Sequence, residues 1–190
     1  MTSAQQPAEK QMENREKMII DAAGMKNSQA QSSDVVISKI YNETLGLELE
    51  ILKHNVWFGS IIGTFPKTIG KGGIGSIASR GDPPGNKTGS KVAVIYTGSN
   101  IVDGPNNCAW LLAWHAPADG TTPTKVYVES GDINKYSDKI NWDEIEANLE
   151  VSSNGSSYAD NDTRTEASAQ IEKTDITRAT AVFDVIPITN

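Results

Sequence analysis

The histidines are the first residues to test for chemistry, because a neutral imidazole can take a proton from a serine or cysteine nucleophile. His54 and His115 are the only histidines, and Cys108 is the only cysteine. Neither a GxSxG nor an HExxH motif accompanies them, and Cys108 lies in an apolar stretch where a buried, unreactive thiol is typical. These residues alone therefore mark no catalytic trio.

Carboxylates offer a second route to catalysis. Asp143, Glu144 and Glu146 lie within one short predicted helix, and paired carboxylates are the groups that cleave glycosidic bonds. Such a cluster is more typical of a solvated helix face. We therefore predict that the chain is not an enzyme, and we keep as an alternative a hydrolase that combines His115 with the helix carboxylates.

Cofactor signals are weak. Residues 70–75 match GxGxxG, but a dinucleotide site needs this motif between a strand and a helix, with an acid about 20 residues further on. Pro66 comes shortly before it, and the required acid is missing. A single cysteine also excludes a zinc site built on several thiolates. We predict no cofactor and no metal, and we interpret residues 70–75 as a glycine-rich entry into a strand.

The tryptophans point to packing and to recognition. Trp110 and Trp114 are four residues apart in a predicted strand, so both face one side and are expected to form a wall of the core. Trp114 also begins the segment Trp114-His115-Ala116-Pro117, which leaves the strand for a loop, where recognition residues tend to collect. Trp142, on the predicted helix, is a second candidate for an exposed binding aromatic.

Charge is spread unevenly along the chain. The formal net charge of −7 disfavours nucleic acid as a partner, yet Asp82 is the only acid between positions 51 and 102. A local anion-binding face is one interpretation, and solvation of loops and strand edges is the other. The candidate anion contacts are Lys67, Lys71, Arg80, Lys87 and Lys91.

Hydrophobic periodicity predicts a mainly antiparallel β protein. Residues 1–9 are predicted to form a disordered tail, and residues 10–190 a single domain that begins with an amphipathic helix over 13–25. Residues 35–41 and 47–51 are predicted to pair as a hairpin.

The rest of the chain alternates strand and turn signals. A surface helix is predicted over 137–149 with Ser137 as a cap, and residues 151–173 are interpreted mainly as a loop, with 167–171 a candidate strand. Further strands are predicted at 56–58, 75–79, 91–97, 108–115, 125–129 and 179–188.

Membrane and export signals are missing from the sequence. No stretch approaches the roughly 20 apolar residues of a membrane span, and residues 1–10 lack the apolar region of a signal peptide. Together with a single cysteine, this favours a soluble protein of a reducing compartment, so the predicted location is cytoplasmic.

Several short motifs carry a family resemblance. The first set is Glu13-Asn14-Arg15-Glu16-Lys17, Met25-Lys26-Asn27, Ile40-Tyr41-Asn42, and the pair Val92-Ala93-Val94-Ile95-Tyr96 and Cys108-Ala109-Trp110-Leu111-Leu112-Ala113-Trp114. In these motifs the chain resembles the small jasmonate-induced proteins of plants. The second set is Asn42-Glu43-Thr44, Thr88-Gly89 and Ala181-Val182-Phe183-Asp184-Val185. In these, and in the order of its elements, the chain is distantly similar to the actinoporins and nakanori-like lipid-binding proteins.

The resemblance implies an actinoporin-like antiparallel β-sandwich with an N-terminal helix and a second flanking helix. Actinoporins bind phosphocholine through aromatic side chains near a Ser-x-Pro segment and on the second helix. Here Pro117 matches the proline, His115 stands in place of the serine, and Trp142 replaces one helix aromatic, while Glu146 and Ala147 occupy the next aromatic positions.

The implied function is that of a non-enzymatic plant stress or defence protein. It would recognise a membrane lipid headgroup or, in a lectin-like way, a glycan at one end of the sandwich. The alternatives are a self-associating, homo-oligomeric or storage-like protein without a small ligand, and the hydrolase described above. The predicted ligand-binding residues are Trp114, His115, Pro117, Tyr127 and Trp142.

Overall fold

The computed structural model describes Lys10 and residues 13–14, 17–18, 34–83, 88–137 and 140–187. The predicted tail and most of the predicted helix over 13–25 lie outside the described residues, and both stay predictions.

Two β-sheets form the body of the described chain. The six-stranded sheet has the order β3-β5-β1-β11-β10-β9, and the five-stranded sheet has the order β4-β2-β6-β7-β8. The strands are β1 (Val35–Asn42), β2 (Glu48–Phe58), β3 (Ser60–Ile62), β4 (Thr68–Gly70), β5 (Ile74–Arg80), β6 (Ser90–Gly98), β7 (Cys108–Ala116), β8 (Lys125–Asp132), β9 (Gly155–Asp160), β10 (Thr165–Lys173) and β11 (Thr177–Val185).

The strand pairing is antiparallel in every described pair except one. The exception is β1, which pairs in parallel with β11 and antiparallel with β5. The prediction of a mainly antiparallel β protein is therefore confirmed.

The predicted hairpin between residues 35–41 and 47–51 is wrong. β1 lies in the six-stranded sheet, whereas β2 lies in the other sheet beside β4 and β6. Asn42 turns the chain between them: its Nδ2 donates to the Ile69 carbonyl at 2.8 Å, and its Oδ1 accepts from the backbone and hydroxyl of Thr44. A buried side chain thus makes a corner where the sequence suggested a hairpin turn.

The core between the sheets contains both tryptophans of β7, as the sequence predicted. Trp110 and Trp114 are completely buried, and each indole has an acceptor. Trp110 Nε1 donates to the carbonyls of Glu166 and Asp184 at 3.1 Å, and Trp114 Nε1 donates to the Ser79 hydroxyl at 3.1 Å. Because the indole N–H groups of Trp110 and Trp114 both have acceptors, burial of these two large apolar rings stabilises the fold without the cost of an unsatisfied donor.

A second, smaller cluster lies on the outer face of the five-stranded sheet. Alanines at the centre of β6 and β7, such as Ala93 and Ala113, leave room there for helix α1 (Trp142–Val151), which packs Ile145 and Leu149 against them. Asn141 caps α1 by accepting from the Glu144 backbone N–H at 3.2 Å.

The predicted helix over 137–149 is confirmed in type but not in its start. Residues before it form a 3₁₀ helix, Ile133–Tyr136, and the cap is Asn141 instead of Ser137. The predicted loop over 151–173 also contains β9, an edge strand whose sequence, GSSYAD, lacks the apolar alternation of a central strand. Among the described residues, no helix is long and apolar enough to cross a membrane.

Candidate binding site

Four outward-facing residues form a row across the five-stranded sheet at one end of the sandwich. Phe58 on β2 pairs with Lys91 on β6, Lys91 with His115 on β7, and His115 with Lys125 on β8. Strand alternation dictates this arrangement, because the next residues along β6, β7 and β8 face the core. Those inward neighbours are Val92, Trp114 and Val126.

Two glutamates of α1 complete this row. Lys91 Nζ lies 2.7 Å from Glu146 Oε1 and 2.5 Å from Glu150 Oε1, and Lys125 Nζ lies 2.7 Å from Glu150 Oε2. Lys125 also donates to the Glu150 carbonyl in the last turn of α1, where the helix dipole favours a positive charge. We call Lys91, His115, Lys125, Glu146 and Glu150 the ionic row.

His115 is the uncharged member of the ionic row near neutral pH. Its Nδ1 lies 3.3 Å from Glu150 Oε1 but makes no hydrogen bond of acceptable geometry. Burial lowers the pKa of His115, and together with the nearby Lys91 and Lys125 ammoniums it outweighs the opposing effect of Glu150. The ring therefore stays neutral until the solution is more acidic than an exposed histidine requires.

The charged members of the ionic row keep one another ionised. Burial opposes ionisation of Glu150, but hydrogen bonds from Lys125 and Lys91 prevail and lower its pKa to about 2. Burial likewise disfavours the Lys91 ammonium, and its two glutamate partners outweigh this and raise its pKa. These charges tie α1 to the sheet over a wide pH range.

Aromatic rings surround Lys91 and the start of α1. Lys91 Nζ lies 5.1 Å from the centroid of the Phe58 ring, and Phe58 meets His115 edge to face at 5.3 Å. Trp57 meets Trp142 edge to face at 6.2 Å. An aromatic face beside two carboxylates forms a binding site for a cation, and here the Lys91 ammonium occupies it.

The structure divides the predicted ligand-binding residues into three groups. His115, Tyr127 and Trp142 lie on the outer face beside α1, and the Tyr127 hydroxyl accepts from Asn148 at 3.3 Å. Pro117 is buried at the end of β7. Trp114 is completely buried between the sheets, so its side chain is not accessible from the surface.

Gly89 allows the close approach of β6 to the segment that carries Pro117. Its φ is +71°, and a Cβ there would lie 1.9 Å from the Ala116 carbonyl oxygen. Any side chain would therefore displace the start of the β7–β8 loop.

A cavity of about 590 Å³ opens beside Pro117 at this end of the sandwich. We call it the end cavity. Its walls are residues 120–125 of the β7–β8 loop, residues 152–154 after α1, and Lys173 at the end of β10. Lys173 Nζ donates to the Pro117 carbonyl at 2.9 Å, which links the cavity to the predicted site.

The sequence did not single out the residues that line the end cavity. Lys125 and Lys173 lie 48 positions apart, and only the fold brings them to one cavity. Glu150 was also missed, although a signal existed: it follows Glu146 by one helical turn and so shares its face of α1.

The predicted anion contacts do not meet at one face. Lys67 and Lys71 flank β4 at the opposite end of the sandwich, and Lys91 is engaged in the ionic row. Arg80 ends β5 in the other sheet. Lys87 lies outside the described residues.

A separate concavity of about 480 Å³ lies on the outer face of the six-stranded sheet. It is lined by small or neutral side chains of β9, β10 and β11, among them Ser157, Ser168, Gln170 and Thr180. It shares no lining residue with the end cavity.

The geometry around His115 does not assemble a hydrolytic site from the described residues. Its carboxylate neighbour, Glu150, is held by Lys91 and Lys125. Nδ1 of the imidazole has no hydrogen-bond partner, and within the described ranges no three acidic, histidine or cysteine side chains are placed to hold a metal ion. Cys108 is buried, and burial raises its pKa to about 11, which disfavours the reactive thiolate.

Comparison with known proteins places this geometry in a family. Residues 5–186 match the model of the Nakanori-like protein family. The chain is 37% identical over 177 residues to a Jasmonate-induced protein homolog of Atriplex canescens, and the match covers 91% of each chain.

One solved structure agrees with the family in fold. The fold is similar to the crystal structure of the lipid binding protein Nakanori, with a TM-score of 0.66, 17% identity, and coverage of 87% of this chain and 85% of that one. A Xerocomus chrysenteron lectin is similar at a TM-score of 0.46 and 10% identity, covering 78% of this chain and 97% of the lectin. By its sequence and its two-sheet architecture, the chain belongs to the Nakanori-like family.

Proposed function

We propose that the protein is a non-enzymatic binding protein that recognises a membrane lipid headgroup or a glycan at the end cavity. The observation that carries the proposal is the cavity itself, which is lined by hydroxyl, amide and ammonium groups beside Pro117. Cavities with a few convergent polar groups are the usual sites of ligand recognition. A role in plant stress or defence, which draws on the jasmonate-induced relative, and a location in the cytoplasm are parts of the same proposal.

The surroundings of the end cavity support a fixed binding site. The ionic row holds α1 against the sheet, and the backbone N–H of Val126 donates to the Ser153 carbonyl at 2.9 Å. Two of the three walls, residues 120–125 and 152–154, are therefore attached to the five-stranded sheet, which lowers the cost of ordering them around a ligand. The similarity to a protein described as lipid binding favours a lipid over other ligands.

The test combines vesicle co-sedimentation with a glycan array, using the full chain. We expect binding in at least one of the two assays, and we expect Asn154→Asp to weaken it by placing a carboxylate in the cavity. Asn106→Asp is the matched control, since it makes the same substitution in the exposed β6–β7 loop at the opposite end of the sandwich. No binding in either assay would refute the proposal.

Self-association without a small ligand is the second candidate, and one observation favours it. Four large aliphatic side chains are exposed at the opposite end of the sandwich, where the β1–β2 and β6–β7 loops meet through a hydrogen bond from Gly46 to Ser99. They are Leu45, Leu47, Ile101 and Val102. Exposed apolar patches commonly mark contact surfaces.

Light scattering tests this second candidate. Self-association through the patch predicts oligomers that Leu47→Ser together with Val102→Ser converts to monomers. A wild-type protein that is monomeric at all measured concentrations would rule it out.

A further inference from the structure

We propose that the end cavity recognises a terminal phosphate, a phosphomonoester, rather than a choline headgroup. The inference rests on the proposed function, because it names the ligand chemistry of the same cavity. It is carried by the hydrogen-bond donors of the cavity and by the position of Lys91.

The end cavity has more donors than its own acceptors use. Each lysine ammonium has three N–H donors. Lys173 uses one on the Pro117 carbonyl, and Lys125 uses two on Glu150. Three N–H groups therefore remain for a ligand, and the cavity wall adds the hydroxyl of Thr121 and the amide of Asn154.

Two carboxylates near the end cavity, Asp119 and Glu150, each accept hydrogen bonds from groups of the protein. Asp119 accepts from the backbone N–H groups of Thr121 and Thr122, at 2.9 and 2.8 Å, and from the Thr122 hydroxyl. Glu150 is shared between Lys91 and Lys125 in the ionic row. Since these oxygens point to donors of the protein, the remaining donors are left for an acceptor-rich ligand. A phosphomonoester has three acceptor oxygens and a charge near −2, which suits such a set.

The place that would suit choline is already filled. A quaternary ammonium binds over an aromatic face, with carboxylates adding attraction. Here the Lys91 ammonium lies over the Phe58 ring with Glu146 and Glu150 as its partners, and Lys91 is only 6% exposed. A choline group would have to displace this buried ammonium and leave it unpaired, which is unfavourable.

The experiment is co-sedimentation of the full chain with three kinds of vesicle. One is made of phosphatidylcholine, one carries phosphatidic acid in phosphatidylcholine, and one carries phosphatidylserine in phosphatidylcholine. Phosphatidic acid presents a phosphomonoester, whereas phosphatidylserine presents a negative charge on a phosphodiester. We expect partitioning onto phosphatidic acid to exceed that onto either other vesicle by about tenfold or more, at near-physiological salt, which suppresses non-specific attraction.

Substitutions locate the binding. Lys173→Gln and Asn154→Asp should each reduce partitioning onto phosphatidic acid by about tenfold, since each removes a contact to a charged group or adds repulsion. Lys71→Gln and Asn106→Asp make the same changes of charge at the opposite end of the sandwich and should have little effect. All four positions are at the surface, and circular dichroism of each variant shows whether it is folded.

Competition with a soluble phosphomonoester distinguishes a free phosphate ligand from a lipid headgroup. Competition by glycerol phosphate indicates that the monoester alone is the ligand, and binding that glycerol phosphate does not compete indicates that the lipid is required. Both results support recognition of the monoester when the cavity variants abolish it.

Other results overturn the inference. Equal or stronger binding to phosphatidylcholine, equal binding to phosphatidylserine, or loss of binding with the control variants to the same extent would refute phosphate recognition at the end cavity. Binding to glycans alone would refute it while the proposed function stands. Failure to bind any vesicle or glycan would refute both.

Discussion

The two faces of strand β7 have different roles in the molecule. The inner face carries Trp110, Leu112 and Trp114, which are completely buried between the sheets. The outer face carries alanines and His115, which lie beneath and beside α1. Trp114 and His115 are neighbours in sequence and were predicted to act together, yet the pleat of the strand sends one to the core and the other to the site. Residues of the inner face stabilise the fold, and residues of the outer face shape the site and hold α1.

The largest expected effect is on the inner face. Trp114→Ala should lower the free energy of unfolding by about 3–5 kcal/mol, because it leaves a large cavity in the core. Chemical denaturation measures the loss. Trp114→Phe should cost less, since it keeps most of the apolar volume and the Ser79 hydroxyl retains Ser90 as a partner at 3.0 Å. If Trp114→Ala cost no more than a change at His115, the division between the two faces would be wrong.

A smaller effect is expected in the ionic row. Lys91→Met keeps the apolar stem but removes the ammonium from Glu146 and Glu150, and it should lower the free energy of unfolding by about 1–2 kcal/mol. The estimate is below that for a fully buried pair, because each glutamate side chain is about a third exposed. Hydrogen exchange should quicken in α1 before it does in β7. Lys71→Met, at an exposed lysine, should change stability by less than about 0.5 kcal/mol.

The pH dependence of stability should come in part from His115, on the outer face of β7. The pKa of His115 is lower in the folded protein than in the unfolded chain, so the unfolded chain binds more protons below about pH 6.5. Stability should therefore fall as the pH drops below that value, with a slope of at most about 1.4 kcal/mol per pH unit. His115→Gln should remove this part of the dependence. An unchanged profile in the variant would show that protonation of His115 is not coupled to folding.

Glu150 should act in a more acidic window. Its pKa is lowered to about 2 in the folded protein, so its contribution is complete above the ordinary carboxyl pKa and is lost as the pH falls toward 2. Glu150→Gln should therefore flatten the stability profile below about pH 4.5. It should also enlarge the part that belongs to His115, because the charge that opposes the lowering of the His115 pKa is removed. A flattening near neutral pH alone would contradict this assignment.

The smallest effect is expected at the edge of the outer face. Tyr127→Phe removes a hydroxyl that accepts one long hydrogen bond from Asn148, and both side chains are partly exposed. The free energy of unfolding should fall by about 0.5 kcal/mol. A loss comparable to that of Trp114→Ala would place Tyr127 in the core of the fold instead.

Local patterns predicted much of the fold. β6 and β7 are long apolar runs bounded by turn residues, and both form central strands. The spacing of Trp142, Ile145 and Leu149 predicted α1, and the two buried members of this set anchor it. These elements were predictable because the spacing of the apolar residues within each one indicates a strand or a helix.

Pairing and the site needed more than local patterns. The hairpin prediction failed because the Asn42 side chain donates to the Ile69 carbonyl, 27 positions further along the chain. The residues next to Asn42 do not indicate that contact. The end cavity was missed for the same reason, since its lysines come from β8 and β10. Whether Trp114 can contact a ligand depends on which face of β7 it occupies, and its spacing from Trp110 correctly predicted a shared wall of the core.

The parallel pairing of β1 with β11 has a consequence for how the protein folds. β11 joins the β3-β5-β1 half of its sheet to the β10-β9 half, so one of the most C-terminal described segments unites them. Until β11 pairs, β1 has an unpaired edge, and its contact with β11 requires closure of a loop that contains most of the chain. Such a high contact order favours slow folding.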